Sequence, residues 1–401
     1  TLMSKAAWLT IVGLGEDGLE GLTSASQNAL TDAQTIWGAE RHIRLLSKGS
    51  SEKYRVWPVP FKNGINEILK LRGQPVVVLA SGDPFWYGAG AVLSRHLKPD
   101  EWISLPSPSS FSLAASTLGW SLETTECYGL HAAPFSRLRQ GLQCGQNLLV
   151  TVRDGATVGE LATYLTGIGF GASTLHVLEA LGGPRARCRK VLAKDFDFQD
   201  LYHPVVVGIT AQGGPQLSLS AGKDDALFAN DGQITKRPMR ALTISALAPK
   251  AGELLWDIGG GSGSIAIEWL LCHPTTHAIS IEKSEARAQR IDENSAAFGV
   301  ERLRVITGSA PDCLEGLEKP DCVFIGGGLS EKLVQYLIGN LAKGTRIVCN
   351  AVTLESEALL AKTCQTLGGE LLRIELSHAG ALGNKHGWKA AYPVVQWSVT
   401  L

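Results

Sequence analysis

Three glycines at alternate positions, Gly259, Gly261 and Gly263, follow the apolar run Glu253-Leu-Leu-Trp-Asp-Ile258. Glycine is needed where backbone turns tightly from strand to helix while lying against a ligand. Gly260 and Ser262 complete that loop, and Asp257 stands at the end of the run before it. Glu282 closes the next apolar run, 21 residues beyond Gly261 (282 − 261). A carboxylate about 20 residues past such a loop can accept from both hydroxyls of a ribose. Position 264 is Ser, so the longer G-x-G-x-x-G spacing that sets a helix N-terminus on a pyrophosphate is absent. The set predicts a nucleoside cofactor without a diphosphate.

The N-terminal half has loops of its own. Gly13-Leu-Gly15 follows Trp8-Leu-Thr-Ile-Val12, Gly82-Asp83-Pro84 follows Pro75-Val-Val-Val-Leu-Ala80, and Pro106-Ser-Pro-Ser109-Ser110-Phe111 comes next. No nucleophile–base triad or acid–base pair stands out, and no catalytic residue is assigned. The eight cysteines include no C-x-x-C pair, which argues against a zinc ribbon or dithiol centre. No metal is expected, and all eight thiols are read as small buried hydrophobes.

These residues need elements to hold them. In the second half strand-like runs fall at 253–258, 277–281, 303–306, 322–325, 346–349, 370–375 and 394–399, with helical stretches such as 284–298 and 330–341 between them. Strands alternating with helices predict a parallel sheet covered on both faces. The first half alternates too, with strands near 8–12, 75–80, 147–152, 174–178 and 204–209. Both halves are therefore α/β. The small, polar stretch 211–225 reads as a linker, giving domains of 1–215 and 216–401. Of 401 residues 45 are glycine, above the ~7% of average proteins, and the surplus is expected in loops. A net charge of −1 offers no global field for nucleic acid or an anionic membrane. No apolar run approaches the ~18 residues of a span, and the start reads as a buried first strand rather than a leader. Scattered thiols point to a reducing, cytoplasmic setting.

The second loop with Asp257 and Glu282 resembles the first motif of Rossmann-like S-adenosylmethionine (SAM) methyltransferases, a seven-stranded fold. Gly308-Ser309-Ala310-Pro311 would then hold the adenine, and Thr235 would touch the cofactor. The N-terminal loops, with Leu178-Glu-Ala-Leu-Gly182-Gly-Pro184, resemble the tetrapyrrole methylases, a two-lobed SAM-binding fold, and imply cofactor contacts at Gly13, Gly15, Asp83, Ser109 and Ser110. Both patterns on one chain, with the join Asp231-Gly-Gln-Ile-Thr-Lys-Arg237 and Val323-Phe-Ile-Gly-Gly-Gly328, resemble the fused decarboxylating precorrin methyltransferases of cobalamin biosynthesis.

That resemblance implies two SAM sites, a precorrin tetrapyrrole substrate and a homo-oligomer. The N-terminal domain would methylate carbon 5. The C-terminal domain would decarboxylate the ring C acetate and methylate carbon 15. A polycarboxylate calls for cations at the rim, and Lys236, Arg237 and Arg240 are the substrate-binding candidates, with Arg185, Arg187, Arg189 and Lys190 as a second cluster. His378, Lys385 and His386 lie in a glycine-rich loop that would form a lid, and Trp86 could stack on a planar ring. Three features depart from the pattern. Glu16-Asp17 stand where the wider tetrapyrrole methylase loop carries proline. Pro238 replaces the usual acidic residue of the join, and Leu130-His131-Ala-Ala lacks a following Gly-Arg. Alternatives are a SAM methyltransferase acting on RNA or another small molecule, a nicotinamide dehydrogenase, and a SAM-binding regulator without turnover. No basic run with interleaved aromatics favours RNA.

Overall fold

A computed structural model of the chain describes residues 7–46 and 52–401. Two compact units are resolved: residues 7–135 with Gly141–Gln216, and Ser136–Gln140 with Leu217–Leu401.

The N-terminal unit contains two five-stranded sheets. The first is formed by β1 (Leu9–Leu14), β2 (Thr35–Gly38), β3 (Tyr54–Val56), β4 (Val76–Ser81) and β5 (Trp102–Leu105), in the order β3-β2-β4-β1-β5, all parallel. β1 and β4 are valine- and leucine-rich and buried on both faces, as central parallel strands must be. The second sheet contains β6 (Glu126–Gly129), β7 (Asn147–Thr151), β8 (Thr174–Glu179), β9 (Arg187–Leu192) and β10 (Val205–Thr210), ordered β6-β7-β10-β8-β9. Only β6–β7 is parallel there.

In the C-terminal unit, β11 (Leu254–Ile258), β12 (His277–Glu282), β13 (Arg304–Thr307), β14 (Cys322–Ile325), β15 (Arg346–Ala351) and β16 (Glu370–Ile374) precede a hairpin of β17 (Ser377–Leu382) and β18 (Lys385–Ala390); β19 (Val394–Thr400) ends the chain. The sheet runs β13-β12-β11-β14-β15-β19-β16, with β19 antiparallel to both its neighbours. Strand alternation divides its core: Leu255, Phe324 and Val348 pack on one face, Trp256, Val323 and Ile347 on the other.

Two expectations need correction. The segment 377–390 is not a glycine-rich lid loop but a regular hairpin in which Gly380 pairs with Gly387. Of the eight thiols only Cys322 and Cys349 are buried, because only they sit inside central strands; Cys144, Cys188 and Cys272 are exposed. Pro238 lies in the first turn of the helix Arg237–Leu247, where its missing N–H leaves no bond unmade. Among the described residues no helix is long and apolar enough to cross a membrane.

Candidate functional site

The C-terminal ends of β11, β12, β13 and β14 open onto a cleft of about 1310 Å³. Ligand pockets commonly measure ~300–1,000 Å³, so this one has room for a nucleoside and part of a larger molecule. Gly259 makes the turn out of β11 at φ +76°, and a Cβ there would lie 2.6 Å from the Gly327 nitrogen. Only glycine lets the two loops meet. Glu282, at the end of β12, is clamped by main-chain donors. The N–H of Gly261 reaches one carboxylate oxygen and the N–H of Ser284 the other, each at 2.9 Å. Its remaining lone pairs can face a diol. This glycine cradle with a fixed carboxylate fits the adenosyl portion of SAM.

Asp257 is fully buried beneath the loop and accepts from the Ser280 hydroxyl at 3.2 Å. Burial pushes its carboxyl up to about 7, partly offset by the Ser280 and Ala266 donors and reinforced by nearby Glu282. Thr235, Lys236, Arg237, Gly260, Ser262, Ser309 and Ala310 also line the cleft. Two of the expected residues do not. Gly263 backs onto Ile291, whose Cγ2 would lie 2.7 Å from a Cβ there. Arg240 is fully buried, with Nε on Glu268 at 2.6 Å and a terminal nitrogen on Asp225 at 3.0 Å. It also donates to the carbonyls of Lys223 and Thr235, so it braces the join segment instead of meeting a substrate.

The N-terminal unit has its own cleft, of about 860 Å³, lined by Gly15, Asp83, Ser109 and Ser110. Gly13 lies behind it. A Cβ there would fall 1.9 Å from the Gly82 oxygen, which accepts from the Ser107 N–H at 3.1 Å. Ser109 caps the helix Ser110–Leu118 by accepting from the Ser112 N–H, and Asp83 accepts from the Phe85 N–H at 2.8 Å. Trp86 lines this cleft with its ring 5.3 Å from that of Phe111.

The walls also carry Arg41, His42, His131, Arg153 and His203, which sequence reasoning did not assemble. Arg41 pairs with Glu16 and donates to the Ser81 hydroxyl at 2.9 Å. The His42 Nε2 lies 2.9 Å from that hydroxyl, while its buried Nδ1 meets no protein partner. Burial, then the Arg41 charge, lowers His42 to about 4. Desolvation also lowers His131 and His203, so burial favours the neutral form of all three imidazoles. By contrast, Arg187 and Arg189 are committed to buried Glu179 and to Asp200, and Arg185 lies over the Tyr202 ring. Among the described residues no three potential metal ligands converge.

Residues 8–197 match the family of tetrapyrrole (corrin/porphyrin) methylases, and residues 226–401 match the precorrin methyltransferase domain. A precorrin-6Y C(5,15)-methyltransferase [decarboxylating] from Sinorhizobium sp is 47% identical over 398 residues, covering 98% of this chain and 96% of that protein. A protein of the same description from Mycobacterium tuberculosis (strain CDC 1551 / Oshkosh) is 37% identical, covering 98% and 99%. A shorter relative, the cobalt-precorrin-6B C(15)-methyltransferase (decarboxylating) of Salmonella typhimurium, is 30% identical over 177 residues, 42% of this chain and 91% of its own.

Proposed function

The chain belongs to the decarboxylating precorrin-6Y C(5,15)-methyltransferases, and from that premise we propose that it methylates a precorrin at carbons 5 and 15 and removes the ring C acetate carboxyl as carbon dioxide. Carbon-5 methylation is assigned to the N-terminal unit. Decarboxylation and carbon-15 methylation are assigned to the C-terminal unit. A relative of about that size that bears the C(15) decarboxylating name supports this division. The reading rests chiefly on one observation: each unit has its own glycine-loop cleft.

SAM supplies an electrophilic methyl group when bound, so the protein has mainly to position, exclude water and manage protons. In the C-terminal cleft Glu282 and the loop amides would hold the adenosyl group, with Ser309 and Ala310 beside the base. Lys236 and Arg237 are placed to meet substrate carboxylates. In the N-terminal cleft Arg41 and Arg153 serve that role, and Gly15, Asp83, Ser109 and Ser110 face the cofactor. Replacing a meso hydrogen by methyl releases one proton. His42, His131 and His203, whose neutral forms burial favours, are available to take it. No step calls for a bound metal, and the site of action is the cytoplasm.

Mass spectrometry after incubation of the full chain with SAM and the reduced precorrin tests the reading. Two methyl groups gained and one carbon dioxide lost are expected. Calorimetry should find two SAM sites per chain. A single site unaffected by changes in either loop would sink the proposal.

A further inference from the structure

The C-terminal cleft contains a buried amide network that the cofactor site leaves unused. Asn350 on β15 lies directly opposite Gln396 on β19, whose Nε2 donates to the Asn350 Oδ1 at 2.9 Å. The Asn350 Nδ2 donates to the Thr243 hydroxyl at 2.9 Å, and that hydroxyl donates to the Met239 carbonyl at 2.8 Å. Thr243 is fully buried and Gln396 nearly so. This chain of bonds fixes the amide's orientation. A flip would turn the Asn350 NH2 toward the Gln396 donor and its carbonyl toward a hydroxyl already committed to Met239. One N–H and one carbonyl lone pair of Asn350 are left over, and Asn350 lines the cleft.

Strand register shows what surrounds it. Side chains alternate along a strand, so Val394 shares the face of Gln396; Val352 follows β15 one residue past its end and is largely exposed. Ile374 pairs with Val394 across β16 and β19. Val352, Ile374, Leu376 and Val394 all line the same cleft. This end is therefore a largely apolar wall that holds the Asn350 amide, with exposed His378 and Tyr392 at its rim. Lys236 is the N-cap of the helix that carries Thr243 and Arg237 begins it, with Arg237 six residues (~9 Å of helix) before Thr243.

Loss of carbon dioxide from an acetate side chain breaks the bond between the carboxyl carbon and the methylene. The bonding pair flows into the conjugated ring system, carbon dioxide departs neutral, and the methylene carbon then takes a proton from water to become methyl. Negative charge must leave the carboxylate, so a salt bridge would hold it in the ground state. A neutral amide orients the group without that penalty, and an apolar wall disfavours the charged reactant. Building on the function proposed above, we infer that the acetate carboxylate lost as carbon dioxide is seated on the Asn350 amide against the Val352–Ile374–Val394 wall. The paired cations serve the carboxylates that are kept.

The test measures carbon dioxide release, methyl transfer from labelled SAM and SAM affinity on the full chain. Asn350→Leu preserves volume and removes the donor. Its carbon dioxide release should fall about 100-fold, the usual effect of misplacing a reacting group, with SAM affinity unchanged. Thr243→Val leaves the amide free to turn and should give a smaller loss, about tenfold, which Thr243→Ser restores. Wild-type carbon dioxide release in Asn350→Leu would overturn the inference, as would a parallel loss of SAM affinity in both variants. If the unaltered chain neither methylates nor decarboxylates a precorrin, it is the proposed function that fails, so the two failures are distinguishable.

Discussion

The two clefts are built from opposite materials. The C-terminal one gathers its carboxylates, Asp257 and Glu282, from adjacent strand ends of one sheet and fixes Glu282 with main-chain amides. The N-terminal one gathers cations and imidazoles, Arg41, His42, His131, Arg153 and His203, from the helix Glu40–Leu46 and from loops, spread over some 160 residues (203 − 41). The C-terminal carboxylates stand 25 residues apart (282 − 257), with Glu282 fixed by backbone; the N-terminal groups are dispersed and act through side chains. A site of the first kind tolerates surface change but not a Cβ in its loop. One of the second kind should decline by degrees as single side chains are removed.

The sharpest way to break this contrast is to place a side chain in each loop separately. Gly259→Val would drive a Cβ into the Gly327 backbone and should abolish carbon-15 methylation, a loss beyond 100-fold, while leaving one SAM site in calorimetry. Gly13→Val, whose Cβ would collide with the Gly82 oxygen, should do the reverse and spare decarboxylation. If either variant silenced both methylations with its fold intact, the assignment of one reaction to each unit would be lost.

Next in size is the pair Arg240–Glu268, in which both side chains are buried. Glu268→Gln leaves the fully buried Arg240 guanidinium with only the partly exposed Asp225 as a carboxylate partner, and should cost the C-terminal unit about 3 kcal/mol in denaturant unfolding. Arg187→Ala in the N-terminal unit should cost less, because Arg189 still reaches Glu179. Equal losses would show that burial of the pair is not what matters.

The two clefts also predict opposite responses to pH. Asp257 is held near 7 in the folded chain but ionises in the ordinary carboxylate range when unfolded. The stability this contributes is complete below that range and is lost as pH rises toward 7, by up to ~4 kcal/mol. His42 is displaced the other way, from 6.5 to about 4. Its contribution is complete above 6.5 and is lost as pH falls toward 4. Between these limits the unfolding transitions of the two units should move in opposite directions. Asp257→Asn should flatten the first and His42→Gln the second.

The same contrast explains how much could be read in advance. The strands of the C-terminal sheet were legible because each is an apolar run bounded by turn residues, and Glu282 because it stands at a fixed distance from its loop. β2 and β3 were not, since four residues containing Trp37 and three containing Arg55 carry no period. The hairpin β17–β18 was hidden because small and polar residues alternate along it without an apolar face. Arg240 read as a substrate cation because a side chain's charge does not announce its partner 28 residues away. Asn350 was invisible for a related reason: its orientation depends on Gln396 and Thr243, distant in sequence and adjacent only once the sheet has formed.

The smallest predicted effect concerns Lys236 and Arg237, two of the cations that line the C-terminal cleft. Lys236 is the N-cap of the helix Arg237–Leu247 and makes no capping bond; Arg237 follows at the first helical position. Cations at the positive end of a helix dipole are misplaced for stability, and a hydroxyl or carboxylate would cap better. Their placement therefore makes sense only if they meet a negative ligand. Lys236→Ser should stabilise the C-terminal unit by about 0.5–1 kcal/mol in denaturant unfolding, while raising KM for the precorrin several-fold with little change in kcat. A gain in stability with KM unaltered would mean that the cleft holds its substrate as it would hold its cofactor, through backbone and neutral groups alone. No gain in stability would mean instead that Lys236 already has a compensating contact within the fold.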